Sequence, residues 1–230
     1  MFETVQYDCL TCKARGCSML ECCGEDVLVA ISSNKLPKKL SKGEQLFAEG
    51  DLKQGISFIK KGFLKVELNG KVGRPLILRI AGRGAIFGHR ITPKHMYYPY
   101  TATAVSNVEY CYIPYEQFDK IAENNTALHQ QFVTQFLDEL EMAEKRALNL
   151  SHKSVRGKVA DALLLLARAY EYKEGSGGFR TVFCRQEIGD LAGTTKEQVS
   201  KVLKDFENEG IVKCTGKHFN YLNLKALQSE

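Results

Sequence analysis

The chain has 230 residues, 44% of them hydrophobic, with a formal net charge of +5. That length accommodates two domains with real cores, and no apolar run approaches the roughly 18 residues of a membrane span. The mild positive charge permits a polyanionic partner without demanding one. Met1–Cys9 carries Glu3 and Asp8 and lacks the cationic stretch and apolar core of a secretory signal, so the expected location is the cytoplasm.

Residues 1–25 form a cysteine-rich leader with little periodicity. Cys9, Cys12, Cys17, Cys22 and Cys23 fall within 15 residues, whereas Cys111, Cys184 and Cys214 are scattered. In a reducing compartment such a cluster points to metal or redox chemistry. Scattered cysteines read as small buried hydrophobes.

Residues 26–114 have β character. Glycines punctuate short apolar runs such as Ile56–Ile59, Phe63–Leu68 and Leu76–Ile80, a spacing that suits a small barrel or sandwich. Asn69-Gly70 suits a hairpin turn. Residues 115–150 read as one long helix. In it Val133, Leu140 and Ala147 recur every seven residues, and Phe136, Ala143 and Leu150 follow three places later. That is an a/d seam for a homodimer, although a helix packed on its own domain has the same amphipathic pattern.

Residues 151–230 alternate helices with short strands. Val155–Tyr172 is a helix, Gly175–Gly178 a breaker and Phe179–Phe183 a strand. Glu187–Leu191 begins a second helix that Gly193 ends. Thr195 then caps a third, through Val199, Val202, Leu203 and Phe206. Ile211–Cys214 and Phe219–Leu222 flank Thr215–His218 as a hairpin. Two helices about a tight turn, then a hairpin, make a winged helix-turn-helix. Its polar face carries Thr195, Lys196, Glu197, Ser200, Lys201 and Lys204. Glutamate can accept from cytosine, lysine can donate to guanine and serine can do either. Lys204, Lys213, Lys217 and His218 suit phosphates. A solvated helix face is the plainer alternative, and the complete helix, turn, helix and hairpin order favours double-stranded DNA. No nucleophile elbow, phosphate loop or paired-carboxylate set is present, so no enzymatic role is expected.

The chain resembles the CRP/FNR family, the regulators that include the catabolite activator and the anaerobic regulator. Lys42–Val66 (KGEQLFAEGDLKQGISFIKKGFLKV) and Gly82–His89 (GRGAIFGH) resemble its roll, and Gln186–Val212 (QEIGDLAGTTKEQVSKVLKDFENEGIV) its helix-turn-helix. The resemblance implies an α+β protein. Its parts are an N-terminal double-stranded β-roll of the cyclic-nucleotide-binding type, a long dimerisation helix and a C-terminal winged helix-turn-helix. It also implies a homodimer on a palindromic operator, in contact with RNA polymerase when activating. Glu197, Ser200 and Lys201 fall on the family's base-reading positions. The last is commonly arginine, so lysine there removes a bidentate fork.

The family's cyclic-nucleotide members use a glutamate after the glycine turn and a later Arg-Ser or Arg-Thr pair. Here His89 and Tyr100-Thr101 stand in those places, which argues against cyclic AMP, whose phosphate lacks its arginine. Asp8–Cys17 (DCLTCKARGC) and Val108–Ile121 (VEYCYIPYEQFDKI) resemble the cluster-binding segments of anaerobic regulators. By that resemblance Cys9, Cys12, Cys17 and Cys111 would hold a 4Fe-4S cluster, with Cys22 or Cys23 as substitutes for Cys17. Structural zinc, a disulfide switch, an effector in the roll and a cofactor-free arm remain alternatives. So does an iron–sulfur or zinc redox protein with a vestigial helix-turn-helix.

Overall fold

A computed structural model describes residues 8–70, 75–89, 92–123 and 125–230. The chain divides into two compact units, Met1–Leu64 with Ala81–Met142, and Lys65–Ile80 with Ala143–Glu230.

The leader is ordered by short-range bonds. It makes 3-10 turns at Arg15–Cys17 and Met19–Cys22, and Ser18 caps the second through the Leu20 N–H. A helix not expected from the sequence follows, α1 (Glu25–Asn34). Its signals are local. Glu25 and Asp26 in the first turn complement the helix dipole, and Val27, Leu28 and Ile31 recur on one buried face.

The β region comprises β1 (Leu36–Leu40), β2 (Gln45–Phe47), β3 (Gly55–Lys61), β4 (Leu64–Asn69), β5 (Pro75–Ala81), β6 (Ile86–Phe87), β7 (Thr101–Ala104) and β8 (Val108–Pro114). They form two four-stranded sheets, ordered β1-β8-β3-β6 and β2-β7-β4-β5. In the first sheet Phe58 stands opposite Cys111 and Ser57 opposite Phe87. Residues Gly55–Ile59 are buried along their whole length, so both faces of β3 are covered. β4 ends at Asn69 and β5 starts at Pro75, so the expected Asn69-Gly70 turn falls in the connection between them. Residues 71–74 of this connection lie outside the described residues.

The expected helix over 115–150 is two helices, α2 (Tyr115–Ala122) and α3 (Thr126–His152). The reason is a new N-cap. The Asn125 carboxamide oxygen accepts from the Leu128 N–H at 2.8 Å, which ties up one donor of the fresh first turn. α3 is 27 residues long, which spans about 40 Å. Leu128 and the edge of Phe132 pack into an apolar cluster with Cys9, Leu20, Cys23, Leu28, Ile31, Ile56, Phe58, Ile86 and Phe118.

The second unit continues with α4 (Val155–Ala169), β9 (Phe179–Arg180), α5 (Arg185–Ala192), α6 (Lys196–Asn208), β10 (Val212–Thr215), β11 (His218–Tyr221) and α7 (Leu224–Gln228). Ser154 caps α4 by accepting from the Gly157 N–H at 3.1 Å. Strand β9 is two residues rather than the expected five, because the Val182 N–H is taken by the Tyr170 hydroxyl at 2.7 Å. Strands β10, β11 and β9 form one antiparallel sheet.

An aromatic group of Tyr170, Tyr172, Phe179, Phe219 and Tyr221 fills the space beside that sheet. Tyr221 is 1% exposed, and its hydroxyl donates to the Leu163 carbonyl at 2.8 Å. Tyr221→Phe is therefore expected to cost about 1 kcal/mol, the net worth of one buried hydrogen bond. Tyr221→Ala should cost about 3–5 kcal/mol through the cavity it leaves. Urea denaturation of the two variants measures both, and equal losses would refute this division.

Candidate nucleic-acid interface and thiol site

The helix-turn-helix is made by α5, a tight turn and α6. Gly193 ends α5 at φ 63°, a left-handed conformation that a side chain resists. Thr195 starts α6 with a reciprocal capping box. Its hydroxyl accepts from the Gln198 N–H at 3.3 Å, and the Gln198 carboxamide oxygen faces the Thr195 N–H at 3.5 Å. The apolar face of α6 is closed. Val199 and Phe206 are 0% exposed, and Val202 and Leu203 are buried with them.

The opposite face is open. Lys196, Glu197, Ser200, Lys201 and Lys204 are all exposed, and Thr195 is half-buried. The Ser200 hydroxyl donates to the Lys196 carbonyl at 2.9 Å, which leaves its oxygen able to accept. Lys217 lies at the β10–β11 turn, where its ammonium donates to the Val182 carbonyl at 2.8 Å. Two of its three N–H groups remain for a ligand. His218 and Lys213 are exposed on the same hairpin. Sequence reasoning overlooked Arg180. It is exposed and stands opposite His218 in the β11–β9 register. A cation opposite the wing strand was its signal, hidden because residues 179–183 read as an ordinary strand.

Cys214 lies on the inner side of the hairpin. Burial pushes its thiol up to about 12, against the pull of Arg185. The thiolate is the nucleophile, and at pH 8 only about one Cys214 in 10⁴ would carry it. Iodoacetamide at pH 8 is therefore expected to label exposed Cys184 and spare Cys214 until the unit unfolds. Equal labelling in the folded protein would contradict this.

The second site is in the other unit. Cys9, Cys12 and Cys111 line one cavity, walled by Leu20, Ile31 and Phe58. α1 and β8 bring them together. The Cys9 N–H donates to the Ser32 hydroxyl at 2.7 Å, and Cys111 comes up on β8 opposite Phe58. Lys35 donates to the Cys9 sulfur at 3.0 Å. Burial raises the Cys111 thiol. Lys35 and Lys60 oppose that rise, while Cys9 and Cys12 add to it.

Of the substitutes, Cys23 is buried in the apolar cluster and donates weakly to the Met19 carbonyl at 3.9 Å. The side chains of Cys17 and Cys22 lie outside the described residues. Among the described residues no three of His, Cys, Asp and Glu converge tightly enough to hold a metal ion. Three thiols nevertheless line one cavity, with Lys35 and Lys60 beside them.

His89 projects from the turn after β6, where its side chain is 1% exposed and faces Glu139 of α3. The Thr101 hydroxyl accepts from the Glu49 N–H at 3.0 Å. On α3 the seam residues Val133, Phe136 and Leu140 are 56%, 37% and 55% exposed. Ala143 and Ala147 are exposed too, and Leu150 is half-buried. Among the described residues no helix is long and apolar enough to cross a membrane.

Comparison with known proteins agrees with this geometry. Residues 37–125 match the cyclic nucleotide-binding domain and residues 157–230 the Crp-like helix-turn-helix domain. The transcriptional activator FnrA of Stutzerimonas stutzeri is 27% identical over 220 residues, 95% of this chain and 90% of that protein. The transcriptional activator anr of Pseudomonas aeruginosa is 27% identical over 199 residues, 82% of this chain and 78% of its own. The cAMP-activated global regulator CRP of Pasteurella multocida is 25% identical over 185 residues, covering 80% and 87%. The fold is similar to that of FixK2 from Bradyrhizobium japonicum, with a TM-score of 0.75 at 21% identity over 85% of this chain and 96% of that one. With both domains matched in order, the chain belongs to the CRP/FNR family of transcription regulators, a non-enzymatic family whose helix-turn-helix binds DNA.

Proposed function

We propose that this regulator acts in the cytoplasm as a homodimer on a palindromic operator and that a redox or gas signal at its N-terminal cysteines controls it. The observation that carries the reading is the α6 surface, where a closed apolar face backs an open row of Lys196, Glu197, Ser200, Lys201 and Lys204. Glu197, Ser200 and Lys201 read base edges. Thr195, Lys204, Lys217 and Arg180 hold phosphates. The exposed Val133, Phe136, Leu140, Ala143 and Ala147, with half-buried Leu150 closing the row, support α3 as the dimer seam, since a single chain leaves most of it uncovered. RNA polymerase is the further partner if the protein activates. The domains follow as a leader (1–25), a sensor roll (26–114), a dimerisation segment (115–150) and a DNA-binding domain (151–230).

Cys9, Cys12, Cys17 and Cys111 would hold a 4Fe-4S cluster, which would supply a one-electron iron centre sensitive to oxygen and nitric oxide. Lys35 donates to the Cys9 sulfur, and Leu20, Ile31 and Phe58 give the cavity apolar walls. Cys9 and Cys23 share one apolar cluster with Leu128 and Phe132 of α3, so a change in how the leader packs reaches the dimer helix through contiguous side chains. Cyclic AMP is not the proposed effector, because His89 packs on α3 where the family's sugar-binding glutamate would stand.

The test is anaerobic purification with metal and sulfide analysis, a visible spectrum, and operator binding before and after air. Iron, visible colour and an oxygen-sensitive affinity are expected. A colourless protein free of iron would overturn the cluster. No preference for any operator over random duplex at physiological salt, in either state, would overturn the regulator reading.

A further inference from the structure

We propose that the buried His89–Glu139 pair is a joint that sets the rotation of α3, and hence which of its faces is offered to a partner. This rests on α3 being the dimer helix. His89 Nε2 lies 3.4 Å from Glu139 Oε2, and the two side chains are 1% and 3% exposed. The imidazole lies 5.4 Å from the Phe136 ring and nearly parallel to it, at 17°. Gln135 Nε2 donates to Glu139 Oε1 at 3.0 Å, so the carboxylate is held from its own helix as well.

The burial along α3 is inverted. Glu139 is buried while Leu137 and Leu140 are 61% and 55% exposed. Glutamate is almost never fully buried unless paired, and leucine usually is. Hydrophobic burial alone would turn Leu140 inward. Consecutive helical residues are about 100° apart, so that rotation would carry Glu139 out and turn Val133 and Phe136 inward together with Leu140. The His89–Glu139 contact, an ion pair when the imidazole is protonated, selects the opposite rotation, with the leucines outward.

The roll end of the joint is rigid. Gly88, immediately before His89, has φ +87°, and a Cβ there would lie 2.1 Å from the Gly55 carbonyl. The Tyr115 hydroxyl donates to the Gly88 carbonyl at 2.5 Å. His89 is thereby anchored through Gly88 to β3 and Tyr115. The pair is a positioning device. An apolar pair of similar volume would be as stable or more so, but would not choose a rotation.

The full-length protein tests this with Glu139→Gln, His89→Gln and the double variant His89→Leu/Glu139→Leu, by sedimentation for dimer dissociation and urea for folding. Each single variant is expected to weaken the dimer about tenfold or more, by breaking the His89–Glu139 contact that turns Glu139 toward the roll. The double variant should match or exceed wild-type folding stability and still dimerise weakly. A merely structural role predicts instead that the double variant recovers both. The joint is overturned if single variants dimerise within about twofold of wild type, or if the double variant regains a wild-type dimer. A wild-type protein that stays monomeric would overturn the dimer reading, and the joint with it.

Discussion

Lys201→Ala is expected to lower operator affinity about 10- to 100-fold while leaving random-duplex binding within about threefold. One base-edge contact is worth about 1–3 kcal/mol of discrimination. Lys201 is exposed at the centre of the α6 polar face, next to Ser200 and one turn from Glu197, so little fold stability is at stake. Lys204→Ala should behave differently. A phosphate contact carries no sequence information, so both kinds of duplex should be bound less well, and the salt slope should fall by about 0.9 for each phosphate that is no longer neutralised. Lys201→Arg sharpens the point. A guanidinium presents a planar two-donor fork where an ammonium is a point charge, so this change should raise preference for guanine at one position in each half-site. Anisotropy titrations over a salt series separate the three. Should Lys201→Ala weaken operator and random duplex equally, Lys201 reads no base.

If the proposed cluster is present, Cys111→Ser and Cys9→Ser are each expected to abolish it, with iron and acid-labile sulfide falling from about four per protomer to near zero. Thiolate ligation is all-or-none here because the cavity has no other soft donor among its described lining residues. Cys23→Ser should retain full iron, since Cys23 packs in the apolar cluster and does not line the cavity. Cys17→Ser and Cys22→Ser then decide the fourth ligand. Zinc would give a distinct outcome, a colourless protein with one metal bound by four sulfurs. Full iron in Cys111→Ser would remove β8 from the site and with it the link between leader and roll.

The two regions differ in how much of them was legible. The recognition helix was readable because its determinants are local. Gly193, Thr195, Gln198 and the Val199–Phe206 spacing lie within fourteen consecutive residues, and each acts within a turn or two of itself. The break at residues 123–125 was less so. A heptad pattern runs across neighbouring turns, whereas the Asn125 cap depends on one side chain turning back to the Leu128 N–H. Helix α1 was masked by the run of cysteines just before it, although Glu25, Asp26, Val27, Leu28 and Ile31 carried its signals. Lys217 and Val182 meet across 35 residues, which no window detects.

By itself the sequence determined most element types outside α1 and the α2–α3 break, the capped recognition helix with its open face, the heptad row of apolar residues on α3 and a cluster of N-terminal thiols. Those follow from periodicity, cap chemistry and residue type, all of which act over a few residues. Only the tertiary structure decided that Cys111 joins Cys9 and Cys12 at one cavity, that Lys35 of the α1–β1 turn serves the Cys9 sulfur, and that Glu139 rather than Leu140 faces His89. Each of these joins segments far apart in the chain. It depends on how sheets and helices come to lie against one another, and no local rule of propensity or spacing contains that.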